Sequence, residues 1–271
     1  MIDFEEIKDI KKFKVIGLLY GESHFKNSSY YKVLVDKLKF WELEIIEDIE
    51  ENLNSIELLL AVGGGSVIDY AKSMSKDIKL WVIPTILGSN SENNCYISSK
   101  PADDSYKKPD RVFYIPQLLT TLQPNYLTYS IITLISREII NNINTNSTIF
   151  SPIIYEFMDI IEVILRDISN TINYERLINL SLKIHQNPIN LNPIKLAIEL
   201  CRLKSIPLGA SLSIIIPAWL RSIDYKKIYE IEKLENWFHS QGSPIRLSEY
   251  NIEYLEVKDI DTNILTFAIE D

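Results

Sequence analysis

Three consecutive glycines, Gly63, Gly64 and Gly65, separate a continuous apolar run from an amphipathic segment. The apolar run "IELLLAV" is typical of a parallel strand that is buried on both faces, and "SVIDYAKSMSKD" places apolar residues at helical spacing. The glycines are therefore predicted to form the turn between a strand and a helix. Such a turn brings backbone N–H groups and a helix N-terminus to one point, where residues without side chains let an anion approach closely.

Two interpretations of the glycine turn are open at this stage. Phosphate-binding turns lie at this place in doubly wound sheets, and Ser66 adds a hydroxyl, so dinucleotide or phosphate binding is the functional interpretation. The structural alternative is a tight turn that needs glycine for a positive φ. The segment is neither a GxGxxG fingerprint nor a P-loop, because no Gly-Lys-Ser/Thr follows.

Strand-like and helical patterns alternate in the first part of the chain. The strand-like runs are "FKVIGLLYG", "LEIIED", "IELLLAVG", "LWVIPTIL" and "RVFYIP". This alternation predicts a parallel, Rossmann-like α/β sheet. From about Gln117 onward, apolar residues recur at helical spacing between Pro and Asn clusters. We therefore predict a dinucleotide-binding-like α/β domain over residues 1–116 and an all-helical domain over residues 117–271.

Composition argues against several classes of partner. The chain has 271 residues and a formal net charge of −9, and a surplus of negative charge without a dense basic run argues against nucleic-acid binding. The N-terminal segment has no apolar core of signal-peptide type, and no apolar run has the length of a membrane span. Two distant cysteines fit a reducing compartment. We expect a cytoplasmic protein that binds a small molecule.

At the glycine turn, "GGGSVIDYAK" resembles the signature of the iron-containing (group III) alcohol dehydrogenases, relatives of dehydroquinate synthase. The segment "LLYGESHFKNSSYYKVLVDKLK" resembles that family's first strand, Gly/Ser loop and following helix. The segment "IPTILGSNSENN" is similar to its Pro-Thr-Leu-x-x-Thr-Gly-Ser-Glu loop, with Ser89 for Thr and Asn90 for Gly. The later segments "LGASLSIIIPAWLR" and "LENWFHSQGSPIRLSEYNI" resemble the butanol dehydrogenase branch. The resemblance implies a dehydroquinate synthase-like fold.

The resemblance also implies a cofactor site for NAD or NADP. The implied cofactor-binding residues are Gly21, Ser23, Gly63, Gly64, Gly65, Ser66, Asp69, Thr85, Ser89 and Ser91. A carboxylate in the first turn of a helix, as at Asp69, is also stabilised by the helix dipole without any role in binding. Asn90 adds a side chain where the family has bare backbone, although Asn tolerates the left-handed conformation better than most residues.

The family's metal ligands are missing by the same resemblance. Family members bind a divalent metal through one Asp and three His, and the corresponding positions here are Thr133, Arg137, Ile194 and Leu208. Leu and Ile have no donor atom, Arg stays protonated, and a lone Thr hydroxyl is a poor ligand. The histidines of the chain, His24, His185 and His239, lie elsewhere. We therefore expect no catalytic metal.

Three hypotheses about function remain open. The chain could be a metal-independent NAD(P)-linked oxidoreductase in which a side chain such as Arg137 polarises the substrate carbonyl. It could be an inactive pseudoenzyme that serves as a partner subunit, scaffold or homo-oligomer, because fold alone does not imply activity. It could also bind a phosphate ligand or catalyse a metal-independent lyase-type reaction.

The chain looks shortened before the glycine strand and after "RLSEYNI" relative to full-length family members.

Overall fold

The computed structural model describes residues 2, 4–22, 25–95, 106–145, 147–184, 192–252 and 262–269. Its backbone contacts divide the chain into two compact units. The first unit contains Met1–Leu122 and Asp167–Ile178, and the second contains Gln123–Arg166 and Asn179–Asp271.

The first unit is built on a parallel sheet of five strands in the order β2-β1-β3-β4-β5. The strands are β1 (Val15–Tyr20), β2 (Glu44–Ile46), β3 (Leu58–Gly63), β4 (Lys79–Pro84) and β5 (Arg111–Val112). Four of them lie within runs expected to form strands, and β4 begins one residue before its run, at Lys79. Every residue of β3 is buried, as the continuous apolar run predicts for a central parallel strand.

Helices cover both faces of this sheet. The α-helices of the first unit are α1 (Ser29–Phe40), α2 (Ile49–Asn52), α3 (Gly65–Met74) and α4 (Pro116–Leu119), with 3-10 helices at Glu5–Lys12, Leu53–Ser55 and Ser91–Asn93. On one face, Leu34 and Leu38 of α1 pack with Leu58 and Leu60 of β3. On the other face, residues of α2 and α3 pack with Leu59 and Ala61. Alternate residues of β3 thus enter two separate cores, which makes the first unit a three-layer α/β structure.

The second unit is helical. Its helices are α5 (Pro124–Asn144), α6 (Pro152–Arg166), α8 (Asn192–Lys204), α9 (Leu208–Ser222), α10 (Ile228–Ser240) and α11 (Thr262–Ile269), with a 3-10 helix at Leu247–Tyr250. The helix α7 (Thr171–Ser181) begins in the segment that belongs to the first unit. After β5, the described ranges contain no further strand. The predicted fold class, a parallel α/β region followed by a helical region, is confirmed.

Among the helices of the described ranges, none is long and apolar enough to cross a bilayer.

The helix α9 packs against α5, α8, α10 and α11, and at Gly209 its backbone lies directly against that of α5. A Cβ atom at this position would lie 2.2 Å from the carbonyl oxygen of Tyr129 and 2.4 Å from its Cα atom. These are backbone atoms of α5, so they cannot move aside as the end of a side chain can. Glycine at 209 is therefore what allows the backbones of α5 and α9 to touch.

We expect Gly209→Ala to destabilise the protein by about 1–3 kcal/mol or more, because the added methyl group forces two helices apart. The matched control is Gly21→Ala, where the nearest atom to an added Cβ is Val67 Cγ2 at 3.9 Å. That change should alter the free energy of unfolding by less than about 0.5 kcal/mol. Urea unfolding followed by circular dichroism measures both, and equal stability of the two variants would contradict the close helix contact.

Candidate functional site

The strand order creates a crevice at the carboxyl ends of β1 and β3. From β1 the chain passes outward to β2, then returns across the sheet to β3 on the other side of β1. Such a reversal of strand order is the point where open α/β sheets bind ligands. Tyr20 pairs with Val62 in the sheet register, and the Gly21 amide donates a hydrogen bond to the Val62 carbonyl at 3.0 Å. Gly21 and the glycine turn therefore lie side by side at this crevice.

The glycine turn connects β3 to α3 as predicted, but not by means of a positive φ. Gly64 caps the helix with φ −80° and ψ −174°, an extended conformation that any residue can adopt. Neither Gly63 nor Gly65 has a positive φ either. The structural alternative considered from the sequence, a turn that requires positive φ, is wrong.

Close packing explains two of the three glycines. A Cβ atom on Gly63 would lie 2.7 Å from Val67 Cγ2, and one on Gly65 would lie 2.7 Å from Ser89 Cβ. A Cβ atom on Gly64 would meet only the Cγ2 methyl group of Ile86, at 3.0 Å. Gly63 and Gly65 thus allow α3 and the segment after β4 to approach the turn, whereas Gly64 is half-buried and borders open space.

The N-terminus of α3 presents backbone donors at this turn. The first hydrogen bonds of the helix run from the Val67 and Ile68 amides to the Gly64 carbonyl, both at 3.1 Å. The amides of Gly65 and Ser66 precede them in the first turn, where N–H groups have no partner within the helix. Gly65 is half-buried and Ser66 is exposed. Two N–H groups and the positive end of the helix dipole thus point to one small region.

The segment after β4 forms the neighbouring wall. The Thr85 amide donates to the Gly63 carbonyl at 3.0 Å, which fixes this segment to the turn. Asn90 takes the left-handed conformation, with φ 60°, as its replacement of a family glycine suggested. Ser91 is 1% exposed, and its Oγ has no hydrogen-bond partner within the described ranges. This hydroxyl lies 3.1 Å from where a Cβ atom of Gly65 would be.

Asp69 and Lys72 form a buried ion pair on α3. The Lys72 Nζ lies 3.1 Å from Asp69 Oδ1 and donates a second hydrogen bond to Asn94 Oδ1 at 3.0 Å. Burial lowers the pKa of Lys72, and the Asp69 carboxylate opposes that shift. Asp69 is among the residues predicted from the sequence, whereas Lys72 and Asn94 are not. The three-residue spacing of Asp69 and Lys72 on a helix was a signal for the pair, but nothing in the sequence indicated Asn94.

A second acidic group follows the end of β2. Glu47 accepts hydrogen bonds from the hydroxyls of Tyr20 at 2.6 Å and Tyr31 at 2.7 Å. Partial burial would raise the pKa of Glu47, but the two tyrosine hydroxyls outweigh it and hold the pKa of this carboxyl below its usual value. Glu47 is not among the residues predicted from the sequence, although an acidic residue directly after the second strand is a feature of nucleotide-binding sheets.

The four positions that correspond to family metal ligands lie in the second unit. Thr133 and Arg137 are on α5, Ile194 is on α8, and Leu208 is the first residue of α9. Thr133 Oγ1 donates to the Tyr129 carbonyl at 2.7 Å, and Arg137 is 5% exposed. This set of one engaged hydroxyl, one cation and two apolar side chains does not fit a divalent metal. In the ranges that the structure covers, no three His, Cys, Asp or Glu side chains form a group that could hold one.

Some residues singled out from the sequence cannot be placed. Ser23, His24 and His185 lie outside the described residues. His239 is on the exposed side of the last turn of α10. For Ser23, the role implied by the resemblance stays a prediction.

Solved structures share this fold over most of the chain. NADH-dependent butanol dehydrogenase A from Thermotoga maritima is 19% identical, with a TM-score of 0.75 over 98% of this chain and 94% of that protein. Sulfoacetaldehyde reductase from Bifidobacterium kashiwanohense, in complex with NAD+, is 14% identical, with a TM-score of 0.71 over 98% and 87%. An iron-containing alcohol dehydrogenase from Thermotoga maritima is 14% identical, with a TM-score of 0.65 over 89% and 83%.

No protein-family model and no curated protein sequence matches this chain. At 13–19% identity, these likenesses are structural. They show that the chain has the fold of the iron-containing alcohol dehydrogenases.

Proposed function

We propose that this protein binds NAD(H) at the glycine turn and does not carry out the metal-assisted hydride transfer of iron-containing dehydrogenases. The observation that carries the proposal is the convergence, at the β1/β3 crevice, of Gly21 and the glycine turn at the N-terminus of α3. A pyrophosphate is the ligand group that best matches two backbone donors, a helix dipole and half-buried residues without side chains.

The buried hydroxyl of Ser91 supports an anionic ligand at this place. A buried polar atom without a protein partner is rare, and an absent ligand or water is an ordinary explanation for one. Ser91 Oγ lies close to Gly65, the residue at which α3 begins. From this place the hydroxyl would donate to a phosphate oxygen bound at the turn.

NAD, when bound, would supply a hydride acceptor, and this chain's residues would bind and orient it. Gly21 would leave room at the end of β1, and Thr85 and Ser89 would border the phosphates from the β4 side. NAD bound to the sulfoacetaldehyde reductase of the same fold supports this choice of ligand. Asp69, which is buried and paired with Lys72, would act on the ligand through the shape of the site rather than as an exposed acceptor.

Binding, rather than turnover, is the function that the residues support best. An oxidoreductase without a metal needs another group to polarise a carbonyl, and Arg137 was the candidate. Because Arg137 is 5% exposed, its guanidinium offers little surface to a substrate. A second candidate function, a catalytically inactive subunit that binds a partner enzyme or a second copy of itself, is favoured by the four unsuitable residues at the metal-ligand positions.

We expect Gly64→Val to weaken NADH binding by at least about a hundredfold, or ~2.7 kcal/mol, because branched carbon atoms would occupy the space over the turn. The extended φ of −80° accepts valine, so the fold should be kept. Fluorescence titration with NADH measures the affinity, and thermal unfolding checks the fold. The control is Ser73→Val, which places the same side chain on the last turns of α3, away from the glycine turn.

Two outcomes would contradict the binding proposal. The first is a wild-type protein that binds neither NADH nor NADPH, which would leave the inactive-subunit function in its place. The second is a Gly64→Val variant that binds as tightly as the wild type, which would move the ligand away from the glycine turn.

We expect the purified protein to contain far less than one Fe²⁺ or Zn²⁺ ion per chain, even after incubation with either metal. Elemental analysis after gel filtration measures this. Leu208→His is the informative variant: a single added imidazole should not create a tight site, because Thr133, Arg137 and Ile194 still offer no suitable ligands. One tightly held metal per chain in the wild type would disprove the metal-free assignment.

We expect NADH to bind at least about tenfold more tightly than NADPH, because the ionised Glu47 at the end of β2 repels a 2′-phosphate and can accept from a ribose hydroxyl. Lys26 supplies a positive charge nearby, because its Nζ lies 5.3 Å from the centre of the Tyr20 ring. In Glu47→Gln this positive charge stays and the negative charge is lost, so the preference for NADH over NADPH should be reduced or reversed. Competitive titration of both nucleotides measures the ratio, and a wild-type preference for NADPH would contradict the role of Glu47.

A further inference from the structure

A lysine is buried behind the proposed binding turn. Lys72 is 1% exposed as a whole, and its side chain is fully buried. A charged ammonium in such a place costs free energy unless it is paired and hydrogen-bonded. Its partners are Asp69 on the same helix and Asn94 on the segment after β4, at 3.1 and 3.0 Å. The lysine thus connects α3 to a segment that is remote in sequence.

The connection continues from Asn94 back into that segment. Asn94 Nδ2 donates to the Asn90 carbonyl at 2.6 Å, and Asn90 is the residue in the left-handed conformation. From the other side, Asn93 Nδ2 donates to the Tyr114 hydroxyl at 3.0 Å. Residues 90–94 are therefore held from two directions by side-chain hydrogen bonds, and Ser91 lies within them.

Two carboxylates near Lys72 favour its protonated form. Burial lowers the pKa of Lys72, and Asp69 on α3, which pairs with it directly, and Glu92 on the 3-10 helix oppose that shift. Glu92 is itself buried and accepts a long hydrogen bond from the Tyr114 hydroxyl, at 3.4 Å. A neutral side chain at position 72 would leave Asp69 without its ammonium partner and Asn94 without its donor.

We propose that Lys72 is a positioning residue for nucleotide binding. It holds residues 90–94 against α3 through Asn94, which keeps Ser91 beside Gly65 and fixes the wall that faces the ligand phosphates. This inference rests on the proposed NAD(H) site. The Lys72 ammonium is fully buried, so it does not contact the ligand. It acts through residues 90–94, which it holds in place.

The test is a double-mutant cycle on the full chain with Lys72→Met and Asn94→Ala. If the two residues act as one connection, each change alone raises the Kd for NADH about tenfold, and the double variant also raises it about tenfold rather than about a hundredfold. If the two changes caused unrelated structural defects, their effects on the binding free energy would add, and the double variant would raise the Kd about a hundredfold. The control is Lys76→Met, the same chemical change on an exposed position one turn later on the chain.

Hydrogen–deuterium exchange without ligand gives a second, independent readout. Amides of residues 85–95 should exchange faster in Lys72→Met and Asn94→Ala than in the wild type and in Lys76→Met, while β3 amides stay protected. If Lys72→Met does not fold, Asn94→Ala alone carries the test, because Asn94 is half-exposed and its truncation leaves the Asp69–Lys72 pair in place.

The outcomes separate the two proposals. If the wild type binds NADH and both single variants bind as tightly, the positioning role of Lys72 is wrong and the binding site stands. If the cycle is additive, the connection through Asn94 is wrong. If the wild type binds neither NADH nor NADPH, both proposals fail together, whatever the exchange data show.

Discussion

The pairing of β1 with β3 is the constraint on which the candidate site depends. It is continued past the strand ends by the hydrogen bond from the Gly21 amide to the Val62 carbonyl. Because β2 lies on the other side of β1, the strand order reverses between β1 and β3. The loops that follow these two strands both begin with glycine. The crevice is a consequence of topology, and the glycines determine how closely other groups approach it.

Much of the first unit could be predicted because its strands are parallel and covered on both faces. The central strands β1, β3 and β4 are then short, mostly apolar runs without alternation, and β3 is the extreme case, buried at every residue. The 3-10 helix at Glu5–Lys12 was not predicted, because its isolated apolar residues, Ile7 and Ile10, resemble those of a solvated segment. Their burial depends on packing against distant strands, which a local pattern does not contain.

The site was less predictable, for a related reason. Residues of the glycine turn could be named because they are contiguous, and because the resemblance extends over the whole turn. Lys72, Asn94 and Glu47 all lie in the first unit, yet their partners are 16–27 residues away in most of the bonds that define them. A charged residue on a predicted helix or loop is ordinarily solvated, so only the fold distinguishes these from surface residues.

The survival of the glycine turn does not by itself argue for a ligand. Gly63 and Gly65 are required by Val67 and Ser89, which would clash with any larger residue, so the same sequence would persist in a protein that had lost its cofactor. Gly209 in the second unit is a parallel case: it is needed for the contact with Tyr129, although the adjacent Leu208 offers no metal ligand. Gly64 differs from these, because its backbone accepts other residues and an added Cβ atom would meet a single atom, Ile86 Cγ2 at 3.0 Å. Support for ligand binding therefore comes from Gly64, from the helix donors beside it and from the buried hydroxyl of Ser91, which packing alone does not explain.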